Sequence, residues 1–297
     1  MKVLVVINPV AGGSDKDIFI SYLQIQFTKY DIDFKIHQTE GKDDEKTIKN
    51  LIDSFRPHRL LSVGGDGTVT ICAKCIMGKD IALGIIPFGS ANGMARELEL
   101  SEDPEDALDD FLKSHLYRKL DLYKVNDKYI GMHIGDIGLN ARIVEGYEKE
   151  EGRGMLSYAK HFLKELPQSE LVNFSIELDN RQIDEKAYMI AFANARKYGS
   201  GVVLNWKGDL FDGKIEIVIA RDINIRTLLL AGMTTLSEDL GRDDSLDIYS
   251  ICKARIQADR PVSVQVDGEF IGRLDEVTIE VVPRAVKLIL VDRRNQE

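Results

Sequence analysis

The chain has 297 residues, of which 44% are hydrophobic and 30% charged. This is ordinary globular composition, with length enough for two domains that each bury a core. The formal net charge of −10 excludes the basic footprint of a nucleic-acid binder and any attraction to membranes through overall charge.

No apolar run approaches the ~20 residues needed to cross a bilayer, so no transmembrane segment is expected. The N-terminus, Met-Lys-Val-Leu-Val-Val-Ile-Asn-Pro, is too short for a signal h-region and reads as a first buried strand. Cys72, Cys75 and Cys252 give no even disulfide framework. Cys72 and Cys75 form a lone C-x-x-C, which is more often a pair of buried thiols than a metal or redox site. A reducing cytoplasm fits this usage.

Residues 3–7 are a continuous apolar run, the pattern of a central parallel strand. A glycine-bearing loop follows, Asn8-Pro9-Val10-Ala11-Gly12-Gly13-Ser14. Residues 17–29 carry apolar side chains at helical spacing. Asp33 to Gln38 alternates like a short strand, and Lys46 to Phe55 reads as an amphipathic helix stopped by Pro57. Leu60 to Val63 is a buried strand. Gly64, Gly65 and Gly67 then let the backbone turn sharply and approach a ligand without a Cβ in the way. From Val69 the pattern turns helical. Strand, glycine turn and helix start together place free N–H groups and a positive dipole end at one spot, which suits a phosphate.

That loop is neither G-x-x-x-x-G-K-[ST] nor G-x-G-x-x-G, because Thr70 stands where the last glycine would be. Asp66 in a phosphate cradle is odd by Coulomb's law unless a cation or a tight-turn hydrogen bond intervenes. The pattern returns at 81–97: a strand at 81–86, the loop Pro87-Phe88-Gly89-Ser90-Ala91-Asn92-Gly93, then a helix from Met94. Alternating strands and helices predict a doubly wound parallel sheet, whose ligands bind at the carboxyl ends of the strands. Asp103-Pro104 opens a last helix that runs to Lys113.

After about residue 118 the grammar changes. Short β-type runs are expected at 119–125, 129–134, 171–178, 187–193, 214–220, 245–256, 261–266, 277–282 and 286–291. Turn dipeptides separate many of them, including Asn126-Asp127, Asp179-Asn180, Asp212-Gly213 and Asp267-Gly268. This half reads as an antiparallel β-sandwich, with helical insertions at about 154–166 and 224–239. The expected domains are 1–123 and 124–297, sharing a cleft. Exposed strand edges in the second suit a homodimer.

The ordered motifs resemble the diacylglycerol kinase catalytic-domain family of bacterial lipid kinases. Its relatives include sphingosine and ceramide kinases and, more distantly, NAD kinases and phosphofructokinases. Asn8-Pro9-x-Ala11-Gly12, His37-x-Thr39, Gly64-Gly65-Asp66-Gly67-Thr68 and Pro87-x-Gly89-Ser90-x-Asn92-x-x-Ala95-Arg96 match the family's motifs in order. So do Asp121, the next loop Gly135-Asp136-Ile137-Gly138-Leu139-Asn140-Ala141, Asn194 to Gly201, Asp212-Gly213 and Val264-x-Val266-Asp267-Gly268-Glu269. The resemblance implies an NAD-kinase- or phosphofructokinase-like α/β domain followed by a lipid-substrate β-sandwich domain. It implies ATP- and Mg²⁺-dependent phosphoryl transfer to a lipid hydroxyl by a cytoplasmic protein peripheral to the membrane, with diacylglycerol or a related lipid as acceptor. That chemistry is mostly positioning and charge neutralisation.

By the resemblance, Asn8, Thr39, Gly64, Gly65, Asp66, Gly67, Thr68, Val69, Thr70, Ser90 and Asn92 hold ATP. Glu269 is the general base, with Asp121 and Asp267 as acidic catalytic partners. Asp212, with the backbone carbonyls of Asp209 and Lys214, forms a metal site. Departures from the family pattern are Ser90, Gly93, Asn140, Ser200 and Trp206-Lys207. Plainer readings stand beside these: Asp267-Gly268 as a hairpin turn, Asn92 as a helix cap and Asp121 as a solvent-facing strand carboxylate. Tyr158, Phe162, Leu163, Lys160 and Lys164 fit either a bilayer-dipping face or a core stripe. Leu228, Leu229, Leu230, Met233 and Leu236 fit either an acyl pocket or the core. Two other functions compete: a kinase for a soluble acceptor such as NAD, and a catalytically silent lipid- or nucleotide-binding protein.

Overall fold

The structure is a computed structural model, and it describes residues 1–13, 16–148, 170–179, 181–198, 202–203, 205–221 and 246–291. The helices predicted at 154–166 and 224–239, with the side chains named on them and Ser200, lie outside the described residues. The chain forms two compact units, Met1–Leu120 with Arg284–Glu297, and Asp121–Pro283. The residues from Arg284 onward belong with the first unit.

The first unit alternates strand and helix: β1 (Lys2–Ile7), α1 (Asp17–Lys29), β2 (Asp33–Gln38), α2 (Asp44–Phe55), β3 (Arg59–Gly64), α3 (Asp66–Ile76) and β4 (Ala82–Pro87). Two helices close it, α4 (Gly93–Glu97) and α5 (Pro104–Lys113). β1 pairs in parallel with β2 on one side and β3 on the other, and β3 pairs with β4. The order β2-β1-β3-β4 makes the connections leave β1 in opposite directions, which is the switch point where open α/β sheets bind ligands.

Side chains from alternate positions explain the two helical layers. Val3, Val5, Ile7, Leu61 and Val63 face Phe19, Leu23 and Phe27 of α1 and Leu108 and Phe111 of α5. The opposite face carries Leu4, Val6 and Leu60, all fully buried, on the side taken by α2 and α3. Both faces of β1, β3 and β4 are covered, so these strands read as largely apolar runs, whereas β2 at the end of the order alternates. Asp103 caps α5 by accepting from the N–H groups of Glu105 (2.9 Å) and Asp106 (3.1 Å), with Pro104 at the first helical position.

The second unit is antiparallel. It contains the second half of β5 (Leu116–Val125), then β6 (Tyr129–Gly131), β7 (Ile134–Gly138), α6 (Leu139–Glu148), β8 (Val172–Leu178), β9 (Arg181–Ala187) and β10 (Met189–Ala193). After these come β11 (Lys197–Tyr198), β12 (Val202–Val203), β13 (Ile215–Ala220), β14 (Leu246–Ile251), β15 (Lys253–Val266) and β16 (Glu269–Leu290). β14, β13, β10, β7, β15 and β16 are neighbours in that order. The start of β15 also pairs with β8, which pairs with β9. Inward side chains such as Phe174, Ile176, Phe192, Ile217, Ile256 and Val264 form one core.

Three local expectations change. Residues 135–141 are not a loop: β7 runs straight into α6. Gly138, at φ 116°, makes the junction where a Cβ would lie 2.4 Å from the Tyr188 carbonyl oxygen. The run 245–256 is two strands broken at Cys252, whose N–H is taken by the Asp179 carboxylate at 3.1 Å. The runs at 277–282 and 286–291 belong to one strand, β16. Arg284, at φ 54°, bends it just after Pro283 without ending it. The end of β16 is parallel to β4 in the first unit, through Lys287 and Leu288 beside Ala82 and Leu83.

Candidate active site

In the first unit, the predicted nucleotide residues follow four parallel strands at one sheet edge. Asn8 follows β1, Thr39 follows β2, Gly64 ends β3, and Ser90 and Asn92 lie beyond β4. Backbone bonds continue the ladder into these loops: Asn8 N–H donates to Val63 O at 2.9 Å, Thr39 N–H to Ile7 O at 2.8 Å and Phe88 N–H to Gly64 O at 2.8 Å. The loops therefore inherit the register of the sheet.

The glycines are required by contact between backbones. A Cβ on Gly89 would lie 2.4 Å from Gly65 Cα, and one on Gly12 would lie 2.3 Å from the Phe88 carbonyl oxygen. Gly12 also holds φ 64°, a left-handed conformation that favours glycine. One on Gly64 would meet the Thr68 hydroxyl at 2.4 Å. Gly67 differs, because it is exposed and a Cβ there would meet nothing within 4 Å.

Asp66 resolves the electrostatic oddity by hydrogen bonding. Its two carboxylate oxygens accept from Gly93 N–H and Met94 N–H, each at 2.9 Å. The carboxylate thus caps α4 from the first residue of α3, where its charge meets the positive end of α4. Asn92, at φ 51°, does not supply that cap. Its side chain instead clasps Gly89, accepting from the N–H at 2.7 Å and donating to the carbonyl at 2.9 Å. Thr68, Val69 and Thr70 have buried side chains, whereas Ser90 is exposed.

Two supports were not picked out in the sequence. Lys16 is 4% exposed. Its Nζ donates to Ala11 O at 2.6 Å and Pro9 O at 3.3 Å, and lies 5.2 Å from the Phe88 ring centroid. It therefore ties the first loop to the loop after β4. The Asp44 carboxylate accepts from Glu40 N–H (3.0 Å) and Gly41 N–H (2.8 Å) and lies 3.3 Å from His37 Nε2. Burial pushes its carboxyl up, but these hydrogen bonds and the His37 ring outweigh burial and hold it below the usual carboxylate range. A lone lysine before a helix, and an aspartate at its start, gave no motif to read.

In the second unit, Asp121 does not face solvent; it is fully buried. Its carboxylate accepts Gly213 N–H at 2.6 Å, its N–H donates to Leu210 O at 2.9 Å, and its carbonyl accepts Asn194 Nδ2 at 2.9 Å. Asp121 is thus packed on the loop that carries Asp209, Asp212 and Lys214. Asp209 and Asp212 are exposed and close local turns to Phe211 N–H and Lys214 N–H. These all-oxygen donors suit a hard cation such as Mg²⁺. Among the described residues, however, no three His, Cys, Asp or Glu side chains converge as metal ligands. A cation there would depend on the carbonyls that the resemblance names.

Asp267-Gly268 is a two-residue turn between β15 and β16, with φ 50° and 85°. It is more than a turn. The Asp267 carboxylate accepts from Tyr123 OH (2.9 Å), His133 N–H (3.0 Å) and Met132 N–H (2.8 Å). Burial pushes both the Asp267 carboxyl and the Tyr123 phenol up, so the phenol keeps its proton and donates. Glu269 follows directly and is exposed. The sequence-predicted catalytic carboxylates thus occupy two settings within this unit: Asp121 at the 209–214 loop, and Asp267 and Glu269 at the β15–β16 turn.

The fold is thus a glycine-lined α/β unit followed by an antiparallel β unit. Residues 2–125 match the model of the diacylglycerol kinase catalytic domain, and residues 136–290 match that of the YegS C-terminal NAD kinase beta sandwich-like domain. The chain belongs to the diacylglycerol kinase family of lipid kinases. It is 28% identical over 239 residues to a diacylglycerol kinase of Mycobacterium tuberculosis, covering 77% of this chain and 76% of that protein. The fold is similar to the crystal structure of a diacylglycerol kinase from Bacillus anthracis, with TM-score 0.74, 19% identity and 97% and 96% of the two chains covered. It is also similar to that of an NAD kinase from Archaeoglobus fulgidus in complex with ATP, with TM-score 0.58, 12% identity and 100% and 96% covered.

Proposed function

We propose that this chain transfers the γ-phosphoryl group of ATP to a lipid hydroxyl, with diacylglycerol or a closely related lipid as acceptor. One observation carries the nucleotide part. Three backbone-packed glycine loops stand at the carboxyl ends of β1, β3 and β4, with the start of α3 among them. Backbone amides and a helix N-terminus there would hold the phosphates. The exposed Gly67 and Ser90 offer an N–H and a hydroxyl; Asn8 and Thr39 flank them. Thr68, Val69 and Thr70 would set the start of α3 beneath the nucleotide: their side chains are buried, and the Thr68 and Val69 N–H groups already donate to Gly65 O at 3.0 and 3.2 Å.

Glu269 would take the proton from the acceptor hydroxyl, as an exposed carboxylate on a turn anchored at Asp267 can. Asp267 is then a positioning residue, because its own carboxylate is occupied by three donors. Asp121 would steady the 209–214 loop, and Asp212 with the carbonyls of Asp209 and Lys214 would hold a cation. Mg²⁺ bound with ATP would neutralise charge on the phosphates. Among the described residues no helix is long and apolar enough to cross a membrane; in this reading the protein meets its acceptor at the membrane surface, from the cytoplasm. Radiolabelled ATP offered with diacylglycerol, monoacylglycerol, sphingosine, ceramide and NAD in parallel tests this. Label in phosphatidic acid supports the reading, whereas preferential labelling of NAD overturns it.

A further inference from the structure

The turn that presents Glu269 is held from behind by a buried polar chain that the proposed chemistry does not itself use. Gly268 N–H donates to Gln265 Oε1 at 2.7 Å. Gln265 Nε2 in turn donates to the Asp136 carboxylate. Asp136 also accepts Asn140 Nδ2 at 2.5 Å and Ala141 N–H at 2.8 Å, at the start of α6. Gln265 is 1% exposed and Asp136 is fully buried.

The chemistry of the pair fixes the amide. The Gly268 N–H can only donate, so the oxygen of Gln265 must turn to it and the NH₂ end must turn to Asp136. With Asp267 held by Tyr123, Met132 and His133, both residues of the turn are anchored and Glu269 starts from a fixed backbone. Proton transfer is sensitive to such placement: an error of about 1 Å can cost on the order of 100-fold in rate. We propose that Gln265, oriented by Asp136, is a positioning residue for Glu269. This rests on the reading of Glu269 as the base.

The test uses Gln265→Met and Gln265→Glu in the full-length protein, with Glu269→Gln as reference. Methionine keeps the length and removes both hydrogen bonds. Its expected effect is a fall in kcat of about 10- to 100-fold, with ATP affinity within about twofold of wild type and a displaced acid limb in the pH profile of kcat. Glutamate puts two carboxylates together at neutral pH. Once protonated it can donate to Asp136 and accept from Gly268, so its kcat relative to wild type should recover as pH falls. If the methionine variant does not fold, this recovery alone decides.

A folded Gln265→Met with wild-type kcat and pH profile overturns the proposal. So does a Gln265→Glu deficit that stays constant with pH. If Glu269→Gln itself keeps turnover, the base reading fails first. If Glu269→Gln abolishes turnover while the Gln265 variants behave as wild type, only the positioning role fails.

Discussion

Alanine at Gly67 separates the folding of the glycine loop from its use. A Cβ there meets no atom within 4 Å, and the residue lies in the first turn of α3. Alanine for glycine in a helix gains about 0.4–1 kcal/mol, so the variant should be as stable as wild type or slightly more so. In a unit of this size that is a rise of no more than about 4 °C in Tm. A phosphate gripped by backbone amides has no such tolerance. A methyl forced into a close contact costs about 1–3 kcal/mol, which weakens ATP binding about 5- to 150-fold. Calorimetric titration with ATP and a thermal melt on the same sample give both values. Gly89→Ala is the control: its Cβ would stand 2.4 Å from Gly65 Cα, so stability and binding should fall together. A stable Gly67→Ala that binds ATP as wild type does would refute the reasoning, because no phosphate could then approach that backbone.

Three further outcomes follow from the geometry. Asp66→Asn turns an amide NH₂ toward one of the two N–H groups that the carboxylate now accepts. Leaving that donor unpaired should lower stability by about 1–3 kcal/mol in urea titration, and an unchanged midpoint would contradict the cap. The Asp44 carboxyl is held below its ordinary value, so its contribution is present above the unfolded carboxylate range and is lost as pH falls through the folded value. Wild type and Asp44→Asn should therefore converge in stability below about pH 4 and separate above it. Thiol titration should find Cys252 alone reactive in the native protein and all three cysteines reactive in denaturant. Burial pushes Cys75 up to about 12 and Cys72 higher still. Rapid labelling of either native thiol would count against the packing of α3.

Much of this was legible in the chain because the sheet of the first unit is covered on both faces. Residues 3–7 and, but for Ser62, residues 60–63 are apolar runs, and the glycines after them mark where backbones touch. The role of Asp66 was not legible, since its partners, Gly93 and Met94, lie 27 and 28 residues away and carry no side-chain signal. Asp121 looked like an ordinary strand carboxylate because nothing local announces a bond to Gly213. α6 was hidden for a different reason. Its start, Leu139-Asn140-Ala141, sits in a motif that reads as a loop, and its cap is Asp136 on the preceding strand. Gln265 has neighbours that are buried on both faces of β15, so alternation does not single it out.

The most direct measurement is the rate at which label from γ-labelled ATP enters diacylglycerol presented in vesicles, for wild type and Glu269→Gln. The proposed mechanism expects labelled phosphatidic acid from wild type. It expects a loss of at least about 100-fold in Glu269→Gln, with ATP affinity unchanged. Equal rates from the two proteins, or label that enters NAD and no lipid, would contradict it.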